Sequence, residues 1–252
     1  MKHRAARNIF ANAALLAAVV SVSSLAQPGR RLESPANRSL VTIVRVKPEM
    51  LDEWLDLQTS VVVPAMKKAG VKTRTVYTSG IFGRAFEYTI VQPLNRFADF
   101  DSAEGQAEAL GSVADARLSE KLRNCVVSTS SFLSTALPDL SNPGENKSPS
   151  LVQLLRLRVG NMDAYENLYR SDVLPALKRV NSYVLVASRR LGTDGSDLTF
   201  ETPMSKFSDL DAPPPLLRAL GPEEAGKLMA KFNGLATVVE NTILIRQGNL
   251  SF

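Results

Sequence analysis

The sequence predicts an α+β protein in which two copies of one βαββαβ unit pack sheet to sheet within a single chain. Residues 39–141 align collinearly with residues 150–251, and each half shows strand-like and helix-like runs in the same order. The composition agrees with a globular fold, because 44% of the 252 residues are hydrophobic and 22% are charged.

The two halves match at one spacing and then at a spacing that is one residue shorter. At an offset of 111 the matches include Arg45 with Arg156, Asp52 with Asp163, Trp54 with Tyr165, Leu57 with Leu168 and 64–67 with 175–178. At an offset of 110 they include Pro93 with Pro203, Phe97 with Phe207, Asp99 with Asp209 and 109–111 with 219–221. We therefore predict an internal duplication, with units at 39–141 and 150–252 and a polar linker at 142–149.

A strand opens each unit, over residues 40–46 and 151–159, because both runs are short and rich in β-branched residues or leucine. A helix follows each strand. Pro48 suits the first turn of the first helix, Asn161 suits the N-cap of the second, and apolar residues recur at helical spacing after both. Each helix is predicted to kink or restart near its end at a proline, Pro64 or Pro175.

Each unit continues with a hairpin, a helical region and a last strand. The hairpin strands are predicted at 71–79, 86–91, 183–190 and 198–202, around glycine-containing turns. A short helix over 94–100 and a longer one over 104–122 follow in the first unit, and Pro222 and Gly234 mark the ends of the longer helix in the second. The last strands are predicted at 126–133 and 236–245.

This order of elements is that of a ferredoxin-like unit. Such a unit covers one face of its sheet with helices and leaves the other face open. Runs such as 41–44 and 154–155 are apolar on both faces, so the open face needs a partner. The second copy is the nearest partner. The sequence thus predicts two tandem ferredoxin-like units packed face to face.

Residues 1–26 are predicted to be a cleaved export signal. Three basic residues precede an apolar run at 9–22, and Ser24 and Ala26 supply small side chains at the −3 and −1 positions of a cleavage site. The apolar run is shorter than the ~20 residues that span a bilayer. We expect an exported protein, periplasmic or extracellular, with no membrane span after cleavage.

Removal of this segment leaves a chain that is close to neutral and has no histidine. The segment contains three of the 30 basic residues and none of the 25 acidic residues, so the remaining chain has 27 basic and 25 acidic residues. Because this chain is close to neutral, no nucleic-acid partner is expected. His3, the only histidine, is lost as well, and Cys125 is the only cysteine. We therefore expect no metal site, no histidine base, no disulfide and no cofactor.

The unit pattern resembles the dimeric α/β-barrel superfamily. The residues that carry the resemblance are Trp54, Leu57, Pro64-Ala65, Pro93 and 97–101. Within the superfamily the chain looks like the NIPSNAP-like and antibiotic-biosynthesis-monooxygenase-like families, as a tandem duplication. The resemblance implies an intrachain dimeric α/β barrel. It leaves the activity open among cofactor-free monooxygenases, lactone isomerases, haem enzymes and proteins of unknown role, and the histidine of the haem branch has no counterpart here.

The cleft between sheet and helices is expected to bind any ligand. Arginine beside glutamate or tyrosine in an apolar cleft can hold a carboxylate or polarise a carbonyl, and a desolvated glutamate can act as a base. The candidate ligand-binding residues are Arg45, Trp54, Tyr77, Arg84, Glu87 and Tyr88 in the first unit, and Arg156, Tyr165, Arg189, Arg190 and Glu201 in the second. Core packing for Trp54 and Tyr165, and ion pairs for Arg45 and Arg156, are the alternative roles.

Two functions therefore stay open. The first is a non-catalytic module that binds a small apolar or carboxylate-bearing ligand or another protein, including a second copy of the chain. The second is a cofactor-free monooxygenase or isomerase acting on a small organic substrate. A closed apolar pocket where arginine meets glutamate or tyrosine would favour the enzyme, and a filled barrel interior would argue against it.

Overall fold

The computed structural model describes residues 37–101, 116–144, 149–189, 191–192 and 197–252. The predicted export signal lies outside these ranges, as do Arg190 and most of the helix predicted at 104–122. Within the described ranges no helix has both the length and the apolar character that a membrane crossing requires.

Eight antiparallel strands close into one barrel. The strands are β1 (Arg38–Val46), β2 (Thr75–Thr78), β3 (Glu87–Pro93), β4 (Val126–Ala136), β5 (Leu151–Val159), β6 (Leu185–Arg189), β7 (Leu198–Met204) and β8 (Ala236–Arg246). Their order around the barrel is β1-β3-β2-β8-β5-β7-β6-β4, and β4 pairs with β1 to complete the circle. Each half of the chain therefore supplies four consecutive strands of a single sheet.

The closed barrel shows that the predicted sheet-to-sheet packing of two ferredoxin-like units is wrong. Strand β2 pairs with β8 through Tyr77 opposite Arg246, and β4 pairs with β6 through Ser134 opposite Arg189. The halves therefore meet edge to edge, as parts of one hydrogen-bonded ladder. An open edge would expose unpaired N–H and C=O groups, and closure pairs them. An apolar pattern on both faces of a strand cannot reveal which edges pair.

Helices pack on the outer face of the barrel in both halves. They are α1 (Leu51–Leu57), α2 (Val63–Lys68), α3 (Ala116–Cys125), α4 (Met162–Leu168), α5 (Leu174–Arg179) and α6 (Pro215–Lys231). One π-helix, Gln58–Val62, joins α1 to α2, and another, Tyr169–Val173, joins α4 to α5. Short 3₁₀ helices lie at Pro48–Met50, Phe97–Phe100, Pro138–Leu140 and Phe207–Asp211.

Each half has an aromatic core between its first helix and the barrel. In the first half Trp54 is 1% exposed, and its ring lies 4.5 Å from that of Tyr88 on β3. In the second half Tyr165 packs edge-on against Phe200 and Phe232. Burial of such large rings supplies much of the free energy that holds a helix on a sheet.

Candidate functional site

A cavity of about 550 Å³ lies between the barrel and the helices of the second half. Its floor is the outer face of β5, β7 and β8, and its walls come from the π-helix Tyr169–Val173, α5, the loop after α5 and α6. The lining residues are Gln153, Leu155, Tyr169, Val173, Leu177, Ser182, Val184, Phe200, Thr202, Pro214, Pro215, Leu216, Leu217, Pro222, Ala225, Gly226, Met229 and Asn241. Most of them are apolar, which is typical of sites for small organic molecules.

Two irregular helices shape this cavity. The π-turn places Tyr169 and Val173 on the side of the helix that faces the barrel, and both are buried. Helix α6 bends at Gly221, whose φ of 76° only glycine adopts readily, and Pro222 starts its second part. The bend lets residues on both sides of Gly221, from Pro214 to Met229, line one cavity.

Among the residues that line the cavity, Tyr169 carries a buried hydroxyl. The side chain is 4% exposed, and its ring lies 5.4 Å from that of Phe200. Its buried hydroxyl has no hydrogen-bond partner among the residues that the structure describes. Burial raises the pKa of Tyr169, so the hydroxyl keeps its proton at neutral pH. A buried hydroxyl without a partner costs free energy, and a ligand oxygen would remove that cost.

The other polar groups of the cavity form a small amide patch on the barrel surface. Gln153 on β5 donates from Nε2 to Oδ1 of Asn241 on β8, at 3.2 Å. Because the pair still has a free amide donor and acceptor capacity, it can also bind a polar group of a ligand. Thr202, on the neighbouring β7, adds a hydroxyl to the same lining.

The equivalent place in the first half holds a buried polar network. Gln58 stands 111 residues before Tyr169, at the matching position of the other π-helix. Its Oε1 accepts a hydrogen bond of 2.7 Å from Nη2 of Arg74, which is 2% exposed and also donates from Nη1 to the Leu250 carbonyl. Burial lowers the pKa of Arg74 to about 10. Val184, 110 residues after Arg74, lines the cavity of the second half. The halves therefore differ where the ligand site would be.

Four of the predicted site residues lie inside the barrel. Tyr77, Arg156, Arg189 and Glu201 line a lumen to which all eight strands contribute, and its free volume is about 30 Å³. That volume is the share of one water molecule in the liquid. The arginine, glutamate and tyrosine side chains lie together in the barrel lumen and not in the predicted cleft between sheet and helices. This filled interior has no room for an organic ligand, which argues against catalysis by these residues.

Charge interactions occupy this interior. Arg156 forms an ion pair of 2.6 Å with Glu240, and the Arg189 guanidinium lies 3.3 Å from the centroid of the Phe132 ring. Burial raises the pKa of Glu201, and nearby Arg156 opposes this shift. Burial, together with the Glu201 charge, raises the pKa of Tyr77 to about 12. These contacts fit a structural role inside the barrel.

The remaining candidates lie at the barrel end or in the cores. Arg45 and Glu87 stand opposite each other on β1 and β3, and exposed Arg84 reaches Glu87 at 3.7 Å. Burial raises the pKa of Glu87, and Arg84 opposes that shift. Trp54, Tyr88 and Tyr165 belong to the aromatic cores described above.

None of the predicted candidates that the structure describes lines the large cavity. One signal in the sequence points to it: the aligned halves carry unlike residues at two buried positions, Gln58 against Tyr169 and Arg74 against Val184. Unlike residues at matching buried positions mark a place where the two halves differ in local structure.

The donor atoms of the cavity do not fit a haem group or a metal ion. Among the described residues its lining contains neither histidine nor cysteine, and the sequence has one of each, His3 and Cys125. Cys125 ends α3 with a fully buried side chain, and burial raises its pKa. Throughout the described ranges, no three acidic, histidine or cysteine side chains are grouped to hold a metal ion.

No protein-family model matches the sequence, and no curated protein matches it. The fold, however, is shared with solved structures. An anthrone oxidase-like protein superposes with a TM-score of 0.51 at 11% identity, over 83% of this chain and 91% of that chain. Chlorite dismutase from Candidatus Nitrospira defluvii, in complex with imidazole, superposes with a TM-score of 0.54 at 14% identity, over 85% and 92%.

These neighbours are members of the dimeric α/β-barrel superfamily, and this chain shares their fold, so the predicted resemblance is confirmed for the fold alone. The narrower assignment to a NIPSNAP-like tandem protein is not confirmed. At such low identity the likeness describes the fold, and the activity has to be argued from the cavity itself.

Proposed function

We propose that the protein binds a small, mainly apolar organic molecule in the cavity of the second half and acts on it as a cofactor-free monooxygenase or isomerase. The observation that carries the proposal is the mainly apolar cavity of about 550 Å³, whose lining includes Tyr169 with a buried hydroxyl that has no partner among the described residues. A preorganised donor in an apolar site stabilises developing negative charge without the reorganisation that solvent water would need.

The chemistry follows from the protonation state of Tyr169. Because burial raises its pKa, the tyrosine acts as a hydrogen-bond donor to a carbonyl or enolate oxygen and does not act as a base. The lining includes no aspartate, glutamate, lysine or histidine from the described part of the chain. The substrate must therefore be acidic enough at carbon to lose its proton to water, while Tyr169 stabilises the resulting enolate.

An enolate of this kind reacts with dioxygen or takes its proton back at another carbon. In the first case anthrone is a suitable model substrate: anthrone and dioxygen give anthraquinone and water, so dioxygen supplies both the new ketone oxygen and the water oxygen. The second case is an isomerisation. The shared fold of the anthrone oxidase-like protein supports this class of reaction, and the non-catalytic module remains the competing hypothesis.

The test is aerobic turnover of anthrone, followed by anthraquinone absorbance and oxygen uptake, together with equilibrium binding of anthrone under anaerobic conditions. Tyr169→Phe should lower kcat about 10²-fold, the usual effect of losing one such donor, with a smaller change in binding. Ser171→Ala is the matched control, because it removes an exposed hydroxyl from the same π-helix.

A second pair of variants tests whether the cavity is the binding site. Ala225 on α6 is buried in the lining, and Ala230 on the same helix is exposed. Ala225→Leu should weaken anthrone binding by filling space, and Ala230→Leu should not. Binding without turnover in every variant would favour the non-catalytic module. Binding that Ala225→Leu leaves unchanged would rule out this cavity.

A further inference from the structure

A second space opens beside the cavity, next to the chain that leads into α6. It measures about 440 Å³ and shares Gln153, Ser182, Thr202, Pro214 and Pro215 with the cavity. The remaining lining is more polar and includes Asp209 and Arg218. We call this second space the vestibule. The shared residues make the two spaces neighbouring compartments of one site.

The wall between the compartments is rigid. Pro213, Pro214 and Pro215 run along the vestibule, and the last two also line the cavity. Proline fixes its own φ and has no N–H, so this segment offers little flexibility and no backbone donor to a ligand. Beside this segment, an anionic group must therefore be recognised by side chains.

Arg218 is the cation of the vestibule. It lies in the first turn of α6, where its N–H donates to the Pro214 carbonyl at 3.1 Å, and its side chain is exposed. In the described part of the chain its guanidinium forms no ion pair. Asp209, the acidic residue of the vestibule, accepts hydrogen bonds from the N–H groups of Ser205 and Lys206, at 2.9 and 3.2 Å. Its carboxylate is thus already engaged by backbone donors.

We infer that the site takes an amphipathic anion, with its apolar part in the cavity and its carboxylate at Arg218 in the vestibule. The inference rests on the proposed function, because it needs the cavity to bind organic molecules. It adds the ligand class and a residue that determines specificity. A guanidinium binds a carboxylate through two parallel N–H donors, so Arg218 would fix the orientation of the ligand as well as its charge.

The experiment compares two matched probes, dodecanoate and 1-dodecanol, for binding to the full chain by calorimetry. The wild-type protein should bind dodecanoate about tenfold more tightly than the alcohol, and higher salt should reduce that preference because Arg218 is exposed. Arg218→Gln should abolish the preference and leave alcohol binding unchanged. Arg218→Lys should keep part of it, since the charge stays but the fork of donors is lost.

The control for net charge is Arg179→Gln, which removes an exposed arginine outside both compartments. It should leave the preference intact. Equal binding of both probes, or an unchanged preference in Arg218→Gln, would overturn the inference while the cavity remains a binding site. If neither probe binds and Ala225→Leu leaves anthrone binding unchanged, the result would instead count against the proposed function.

Discussion

The charged residues of the barrel lumen lie on strands that turn apolar residues toward the helices, as on β5. On β5, Leu154 and Arg156 point into the lumen, whereas Leu155 lies in the wall of the cavity. Glu201 on β7 stands opposite Leu154, one diagonal step from Arg156 on the same face. This register brings a carboxylate and a guanidinium together in an interior with space for about one water molecule.

Glu201 should make the folded protein less stable as the pH rises toward neutral. Because burial raises its pKa, the folded protein binds a proton that the unfolded chain has released, and its contribution to stability is lost as pH rises through the folded pKa. Glu201→Gln should therefore raise the melting temperature at neutral pH by a few degrees, on the order of 2–4 °C per kcal/mol, and have little effect at acidic pH. Differential scanning calorimetry at both pH values measures this.

The control is Glu120→Gln, which neutralises an exposed glutamate on α3. It should change the melting temperature little at either pH. A lower melting temperature for Glu201→Gln at neutral pH would mean that the carboxylate stabilises the barrel through its arginine neighbours more strongly than burial opposes it.

Short runs rich in β-branched residues or leucine predict the strands that carry the charged candidates, but such runs cannot tell a barrel lumen from a helix-covered cleft. Both faces of these strands are covered, so the side on which Tyr77 or Arg156 lies depends on how the sheet closes. The cavity residues were harder to find. Tyr169 was predicted as one apolar position of an amphipathic helix, and its missing hydrogen-bond partner is visible only in three dimensions.

The first helix of each half keeps its direction through a π-turn instead of kinking or restarting. The turns occupy matched positions, Gln58–Val62 and Tyr169–Val173, and the proline of each half is the second residue of the helix that follows. Proline lacks an N–H and crowds the carbonyl four residues earlier, and the wider π-turn relieves both problems. The prolines thus predicted an irregularity correctly, while its form depends on helix packing.

Deletion of Ser171 and substitution of Pro175 should show whether the π-turn or the proline after it shapes the cavity. Because the π-turn contains one residue more than an α-helical turn, loss of Ser171 restores a regular α-helix and keeps Leu174 and Leu177 on the face that packs against the core. The variant should lose anthrone binding, because the cavity wall changes at the turn itself, and it should melt at a lower temperature, because Pro175 then lies inside a regular α-helix. Pro175→Ala should have a small effect, about 1 kcal/mol or less, because Pro175 is exposed and its neighbours keep their places.

Circular dichroism melts and anaerobic binding titrations make this comparison, with Ser171→Ala as the control for the lost hydroxyl. If the deletion variant binds anthrone as the wild type does, the π-turn does not position the cavity wall.

Across the whole molecule, the two halves are one sheet. The junctions are short, with two paired positions between β2 and β8 and three between β4 and β6. Even so, each junction pairs an edge that would otherwise be open, and the lumen contains side chains from all eight strands. The order of strands and helices within each half was predictable from local patterns. The edge-to-edge closure was not, because it depends on contacts between residues distant in sequence.

A shared sheet predicts a single cooperative unfolding transition, with equal calorimetric and van't Hoff enthalpies. Val76 on β2 and Val186 on β6 stand 110 residues apart at matching buried positions, 0% and 1% exposed. Val76→Ala and Val186→Ala should each destabilise by roughly 2 kcal/mol and shift the whole transition to lower temperature. If the halves were independent units, each variant would shift only one of two transitions and leave the other at its wild-type temperature. Calorimetry of the two variants therefore tests whether the closed barrel unfolds as one body.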